Sequence, residues 1–429
     1  MELRAVKGMN DILPDEAARW QRLEQAFREH VARYGYDEVR TPILEHTALF
    51  SRQIGETTDV VEKEMYSFAR HGDELTVRPE GTAGAARAYV EHKVHTKEPV
   101  SRWCYLGPMF RGERPAKGRY RQFYQAGCEL FGDAGPVADA EMIEMIYSLL
   151  TAGLGIGHIE IRLNSLGASG TRGRYRDALV AHFTPIKDKL SEDSQRRLEK
   201  NPLRILDSKD PRDREASKGA PSILELLDEA DAAHFAGVRR HLDALDVRYV
   251  VDPTLVRGLD YYTRTLFEFV TTTGDLGAQS TVVGGGRYDN MVEGLGGPSV
   301  PAIGFAMGIE RLLTLMPGEA SRERPAIYVA PLSDACTGRA LVLGRDLRAR
   351  GVRVEVDGRG GRLKAMLRRA DALGAKLCVI LGDGELERGV VSVKALAEHK
   401  QDEVPLADAA DVLVARARAE AGPPPGEAR

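Results

Sequence analysis

From Gly107 to Gly132 the chain reads GPMFRGERPAKGRYRQFYQAGCELFG, and the character of that stretch decides the fold. Two apolar-and-polar runs flank a loop dense in Arg, Lys and Gly, which is the pattern of an antiparallel hairpin. Within the loop Arg111, Arg114, Lys117, Arg119 and Arg121 face a single acidic residue, Glu113. Such a loop suits a polyphosphate, although a solvated basic turn would look the same if the charges stood alone. On the outgoing strand a period of two sets Phe123, Gln125, Gly127 and Glu129 on one face and Tyr124, Ala126, Cys128 and Leu130 on the other. The second face reads as core. The first offers an aromatic plane, an amide, a gap and a carboxylate, and suits a small polar ligand better than packing.

Other polar stretches are candidates to meet that face. Arg257 to Phe269, RGLDYYTRTLFEF, sets an Arg, an Asp and two Tyr beside residues that read as sheet. A buried Arg needs an anionic partner, and a structural pair with Asp260 is the plain alternative to a ligand role. GGGRYDNMVEGLGG from Gly284 allows close backbone approach, or forms only a flexible turn. VPAIGFAMGIERLL from Val300 reads as a Gly-spaced strand passing into a helix that carries Arg311. In RPEGT, Arg78 to Thr82, Glu80 and Thr82 alternate onto one face and suit an ammonium group. The chain has no G-x-x-x-x-G-K-[ST] and no G-x-G-x-x-G after a predicted strand, so a phosphate site here must be made of side chains.

Around these stretches, Trp20, Leu23, Phe27, Val31 and Tyr34 recur at helical steps and predict an amphipathic helix from Asp15 to Tyr34, stopped by Gly35. Tyr36 to Leu44 reads as extended, with Pro42 placing its end at an edge or interface. Residues 168–250 have helical Leu and Ala spacing, and 172–218 carry 13 Lys and Arg against 9 Asp and Glu. Strand patterns return from Tyr249 to Phe269 and before Gly284. The polar stretch Pro317 to Arg324 marks a boundary. Beyond it, apolar runs at 327–332, 352–356 and 377–381 alternate with helical ones at 334–350 and 363–373, predicting a small parallel βαβ domain.

A chain of 429 residues suggests about three units. Apolar residues at 43% and charged ones at 29% are those of a folded protein, and only the tail from Ala419 reads as unstructured. With 60 Lys and Arg against 64 Asp and Glu, a uniformly basic coat for nucleic acid is excluded, a local patch is not. Cysteines at 104, 128, 336 and 378 match no paired metal-ligand spacing and read as reduced thiols. The start lacks a signal peptide's apolar core and no stretch is long enough for a membrane helix, so a soluble, cytoplasmic protein is expected.

Taken together, these stretches resemble the class II aminoacyl-tRNA synthetases and, among them, the histidyl-tRNA synthetase family. FRGE at Phe110 with FYQAGCE is similar to motif two of the class, and GFAMGIER at Gly304 to motif three. RGLDYYTRTLFE and GGGRYD match that family's own histidine signatures, and the helix ending at Tyr34 with YDEVRTP corresponds loosely to motif one, a dimer element. Asn290 departs from the glycine common after GGRYD.

The resemblance implies an α+β fold. A class II antiparallel sheet core with helices would occupy 1–167 and 250–317. A helical insertion would occupy 168–249, an α/β anticodon-binding domain 325–415 and a disordered tail 419–429. It implies a histidine–tRNA ligase that activates L-histidine with ATP and passes it to the 3′ end of tRNA(His), as a homodimer, with Mg²⁺ on the phosphates and no metal site of its own. The substrate carboxylate is the nucleophile in that reaction, which agrees with the lack of any Ser, Cys or His nucleophile arrangement. Arg111 and Arg257 would be catalytic at the α-phosphate. Glu113, Arg119, Arg121, Phe123 and Arg311, with Arg111, would bind ATP, Phe123 and Arg311 covering the two faces of adenine. Glu80, Gly81, Thr82, Gln125, Glu129, Tyr261, Tyr262 and Tyr288 would bind histidine: Glu80, Thr82 and Gln125 at the α-amino group, Glu129 and Tyr262 at the imidazole, and Tyr261 and Tyr288 shaping the pocket wall. The excess of 10 Lys and Arg over 3 Asp and Glu in 339–369 suits tRNA phosphates. The rival is the synthetase-like regulatory subunit of ATP phosphoribosyltransferase, which lacks the C-terminal α/β domain present here.

Overall fold

A computed structural model of the chain describes residues 3–55, 58, 60–277, 280–318, 324–398 and 400–421. The first amphipathic segment forms the helix Pro14–Ala32, with Pro in its first turn, Asp15 and Glu16 at its positive end, and Trp20, Leu23, Phe27 and Val31 buried. It stops two residues earlier than the periodicity predicts, and Gly35 follows at φ +79°. The extended stretch after it divides between two sheets. Asp37–Glu38 (β1) joins the edge of the large sheet, while Leu44–His46 (β2) pairs in a separate three-stranded sheet with Tyr66–Arg70 (β3) and Asp73–Val77 (β4), in the order β2-β4-β3.

Ser101–Phe110 (β5) and Gln122–Phe131 (β6) form the expected antiparallel hairpin. The large sheet is completed by Ile159–Ser165 (β7), Val250–Val251 (β8), Thr263–Thr271 (β9), Thr281–Arg287 (β10) and Ala302–Gly308 (β11), in the order β1-β5-β6-β11-β10-β9-β7-β8. Only the short edge strands pair parallel. Period-two alternation aims Ala126, Cys128 and Leu130 of β6 into a core shared with the helices Pro14–Ala32 and Pro136–Ser148, leaving the opposite face free to build a site. The predicted strand from Tyr249 to Phe269 is interrupted: residues 252–262 run as turns and irregular backbone between β8 and β9.

The segment 168–249 is helical as its spacing predicts, with helices Ser169–Phe183, Glu192–Lys200, Pro211–Ser217 and Glu229–Ala244. Its last helix contributes Phe235, Val238 and Leu242 to the main core, so this region is fused to the sheet along that helix.

Contacts divide the chain at Ser321 and Arg322. The second unit, by itself, is a five-stranded sheet of Ile327–Pro331 (β12), Val354–Val356 (β13), Leu377–Leu381 (β14), Val390–Ala395 (β15) and Gln401–Pro405 (β16), ordered β13-β12-β14-β15-β16. The first three strands are parallel with helices Asp334–Ala349 and Leu363–Ala372 between them. The antiparallel pair β15–β16 corrects the purely parallel expectation. A last helix, Ala409–Ala421, carries the chain into the stretch that reads as unstructured, and 422–429 lie outside the described residues. Among the described residues no helix is long and apolar enough to cross a membrane.

Candidate active site

The centre of the site is Glu129 on β6, with no solvent exposure. Thr82 Oγ1 donates to its Oε1 at 2.7 Å, Tyr105 Oη to the same oxygen at 3.2 Å, and Tyr288 Oη to Oε2 at 2.5 Å. Burial pushes its pKa up to about 8, against the pull of the Tyr288 and Thr82 hydroxyls. The carboxylate lies against the backbone of β11, where a Cβ at Gly304 would overlap it. Glycine at 304 is thus required by the carboxylate's position. Tyr261 joins this aromatic group, its ring 4.6 Å from that of Tyr262 and 5.8 Å from that of Tyr288.

Glu80 is buried and caps the helix Thr82–Glu91, accepting from the Thr82 and Ala83 backbone N–H groups at 2.6 and 2.9 Å. Burial raises its pKa while those N–H groups hold it down. Gly81, between them, lies so close to the Tyr105 ring that a Cβ would collide with it. Gln125, two positions before Gly127 on the same strand face, has a buried Oε1 with no hydrogen-bond partner. A buried acceptor left in that state costs free energy unless a donor reaches it, so this oxygen is available to a donor group of a ligand.

Beside these residues the arginines converge, Arg111 near Glu80 and Arg257 near Tyr262. Arg311 has its pKa lowered by burial, with Glu113 opposing and the positive fields of Arg111, Arg119 and Arg257 adding to the fall, so four guanidiniums from three separated stretches share one region. Arg311 itself donates to the Gly118 carbonyl at 3.0 Å and the Thr281 carbonyl at 2.7 Å, tying the loop tip to β10. Arg119 pairs with Glu113. Arg111 donates to the Pro79 carbonyl at 2.9 Å and lies 5.3 Å over the Phe123 ring. Arg121 points elsewhere, to the carbonyls of Glu113 and Lys7 at 3.2 and 3.5 Å.

Arg257 pairs with Glu268 on β9, not with Asp260. Burial alone would lower its pKa; Glu268, then Tyr262, turns the shift upward, so the guanidinium stays charged. Its plane rests on Gly284, where a Cβ would overlap it. The glycine run of β10 therefore admits the protein's own arginine. Sequence reasoning missed Glu268 and Tyr105. Tyr105 had a signal, since it pairs across the hairpin with Gly127 and fills the gap which that glycine leaves. Asp260 instead accepts from Asn201 Nδ2 at 3.0 Å.

Among the described residues no three His, Cys, Asp or Glu side chains gather to hold a metal. The arrangement thus joins a dry, hydroxyl-ringed carboxyl to a cationic cluster. It is equipped to stabilise charge developing on a bound anion.

A family model described as histidyl-tRNA synthetase matches residues 8–312, and one described as an anticodon binding domain matches 326–416. The chain is 71% identical over 417 residues to a histidine–tRNA ligase of Sorangium cellulosum, covering 97% of each. It is 49% identical over 408 residues to one of Thermosynechococcus vestitus, covering 94% of this chain and 95% of the relative. The crystal structure of an apo histidyl-tRNA synthetase of S. aureus superposes with a TM-score of 0.81 at 34% identity, covering 96% of this chain and all of that one. With a family model spanning the sheet and its insertion, and similarity running through both units, the chain belongs to the histidyl-tRNA synthetase family.

Proposed function

We infer that the chain is an ATP-dependent ligase joining L-histidine to tRNA(His) in two steps: histidine and ATP form histidyl-adenylate and pyrophosphate, and the histidyl group then passes to the tRNA 3′ end. The observation that carries the histidine reading is Glu129, a buried carboxyl ringed by hydroxyls within reach of an imidazole. Glu129 and Tyr262 take the ring nitrogens, Tyr261 and Tyr288 shape the wall, and the unpartnered Gln125 Oε1, with Glu80, Gly81 and Thr82, receives the α-ammonium group. Because the pocket's polar groups go unpaired with an apolar amino acid, such a site can discriminate by about 10⁴ to 10⁵.

Arg111 and Arg257 hold the α-phosphate and the attacking carboxylate, and stabilise the charge that builds on phosphorus. Arg119 with Glu113, and Arg311, serve the outer phosphates, and Phe123 offers a face to adenine once Arg111 turns to the phosphate. Among the described residues no carboxylate cage for Mg²⁺ is built, and the ion is expected to ride on the triphosphate and neutralise part of its charge. The second unit reads the anticodon arm. Ile43, Leu44 and Phe68, exposed apolar residues on or next to the three-stranded sheet, suit a homodimer contact, and the free, buried thiols suit a cytoplasmic setting.

The test is ATP–pyrophosphate exchange with each of the twenty amino acids. Only histidine should support it, and Glu129→Ala should weaken histidine binding by about 100-fold while ATP binding stays within about threefold. Equal losses of both ligands by calorimetry would reject the assignment.

A further inference from the structure

The loop 257–262 carries Arg257 and both pocket tyrosines, and its ties run largely to the helical insertion. Arg204 Nη1 donates to the Arg257 carbonyl at 3.1 Å. Arg172 Nη1 donates to the carbonyls of Asp260 and Tyr262 at 2.7 and 3.3 Å, and Asn201 Nδ2 holds the Asp260 carboxylate at 3.0 Å. Toward the core, the Asp260 N–H donates to the Ile54 carbonyl at 3.0 Å. The apolar side agrees: Val256 and Tyr262 belong to the insertion's own hydrophobic cluster, with Leu179, Phe183, Leu203 and Ile205. Arg204 stands between Leu203 and Ile205, both buried in that cluster, so its backbone is anchored while its guanidinium reaches out to the loop.

We propose that Arg204 is a positioning residue for adenylation, aided by Asn201. It fixes the Arg257 backbone so that the Arg257 guanidinium stays flat on Gly284 and beside Glu268 instead of following a mobile loop. The geometry has a chemical consequence. An error of an ångström in a charge-stabilising group slows the reacting step far more than it weakens substrate binding. The proposal rests on the reading of Arg257 as the α-phosphate group.

The test uses the full-length protein and ATP–pyrophosphate exchange. Arg204→Met, which keeps the aliphatic stem and removes the donors, should lower kcat about tenfold with KM for histidine and for ATP within about twofold. Arg204→Lys, which restores one donor and the charge, should recover kcat to within about threefold of the parent. Asn201→Ala should give a smaller kcat loss with the same unchanged KM values, and serves as the variant to read if Arg204→Met does not fold. An unchanged kcat in the Met variant overturns the proposal. So does a fall in kcat matched by a rise in both KM values that Lys fails to rescue, which is what a merely structural arginine would give. Arg257→Ala is run beside them. If it retains exchange, the reading of Arg257 falls first; if it abolishes exchange while Arg204→Met and Asn201→Ala do not, only the positioning role falls.

Discussion

At the scale of single residues, the buried carboxyls set the pH response. Glu129 titrates near 8 and Glu310 near 7, each raised mainly by burial from an ordinary value of 4.5, and Glu80 is raised in the same direction. The unfolded chain therefore loses these protons first. The native state is favoured fully below about 4.5, and that advantage drains away as the pH rises toward 8. Glu129→Gln, which keeps the shape and stays neutral, should flatten the decline, so that its melting temperature falls by about 3 °C less than the parent's between pH 5 and 8.5. Scanning calorimetry at both pH values checks this, and parallel declines would show that Glu129 is ionised throughout. Period-two reading of β6 already pointed to this residue, because alternation alone assigns Glu129 a face. Which hydroxyls would surround it was not legible, since Thr82, Tyr105 and Tyr288 arrive from a helix start, a neighbouring strand and a strand end far apart in the chain.

At the scale of elements, Asp139 joins four of them. From the helix Pro136–Ser148 its Oδ2 accepts from His234 Nε2 at 2.8 Å on the helix Glu229–Ala244, from Thr265 Oγ1 at 2.5 Å on β9, and from Arg287 Nε at 3.0 Å at the end of β10, while Arg287 Nη2 makes an ion pair with its Oδ1 at 2.5 Å. Arg287 has no exposure, and it also donates to the carbonyls of Asp133 and Gly135 at 2.9 Å each and to Asp289 Oδ1 at 3.4 Å. Asp139→Asn should leave that guanidinium without its principal counter-charge and cost about 3 kcal/mol or more in urea unfolding; a loss under about 1 kcal/mol would mean that Asp289, at 3.4 Å, suffices. The hairpin β5–β6 and the passage from β11 into Ile309–Leu315 were readable because apolar spacing changes period there. The run 252–262 was not, because its Leu and Tyr residues bury themselves against the insertion without alternating, and an apolar run by itself does not report which neighbour it serves.

At the scale of the whole molecule, each unit has its own core, and the work divides with them. A chain ending at residue 318 should keep histidine-dependent pyrophosphate exchange within about threefold and lose at least about tenfold in aminoacylation of tRNA, because phosphate contacts supply much of nucleic-acid affinity. Full charging by the shortened chain would remove the second unit from tRNA recognition. Strand order carries a consequence for biosynthesis. Because β6 lies between β5 and β11, the hairpin leaves the ribosome with one long edge of unpaired amides and carbonyls. That edge stays open until β11 has been made, more than 160 residues later. At translation speeds of about 5–20 residues per second the interval is on the order of ten seconds or more. During it the nascent chain presents its most pairing-prone border to every other nascent chain nearby. Pausing or chaperone capture between Phe131 and Gly308 should thus govern the yield of active protein more strongly than the final stability of the fold.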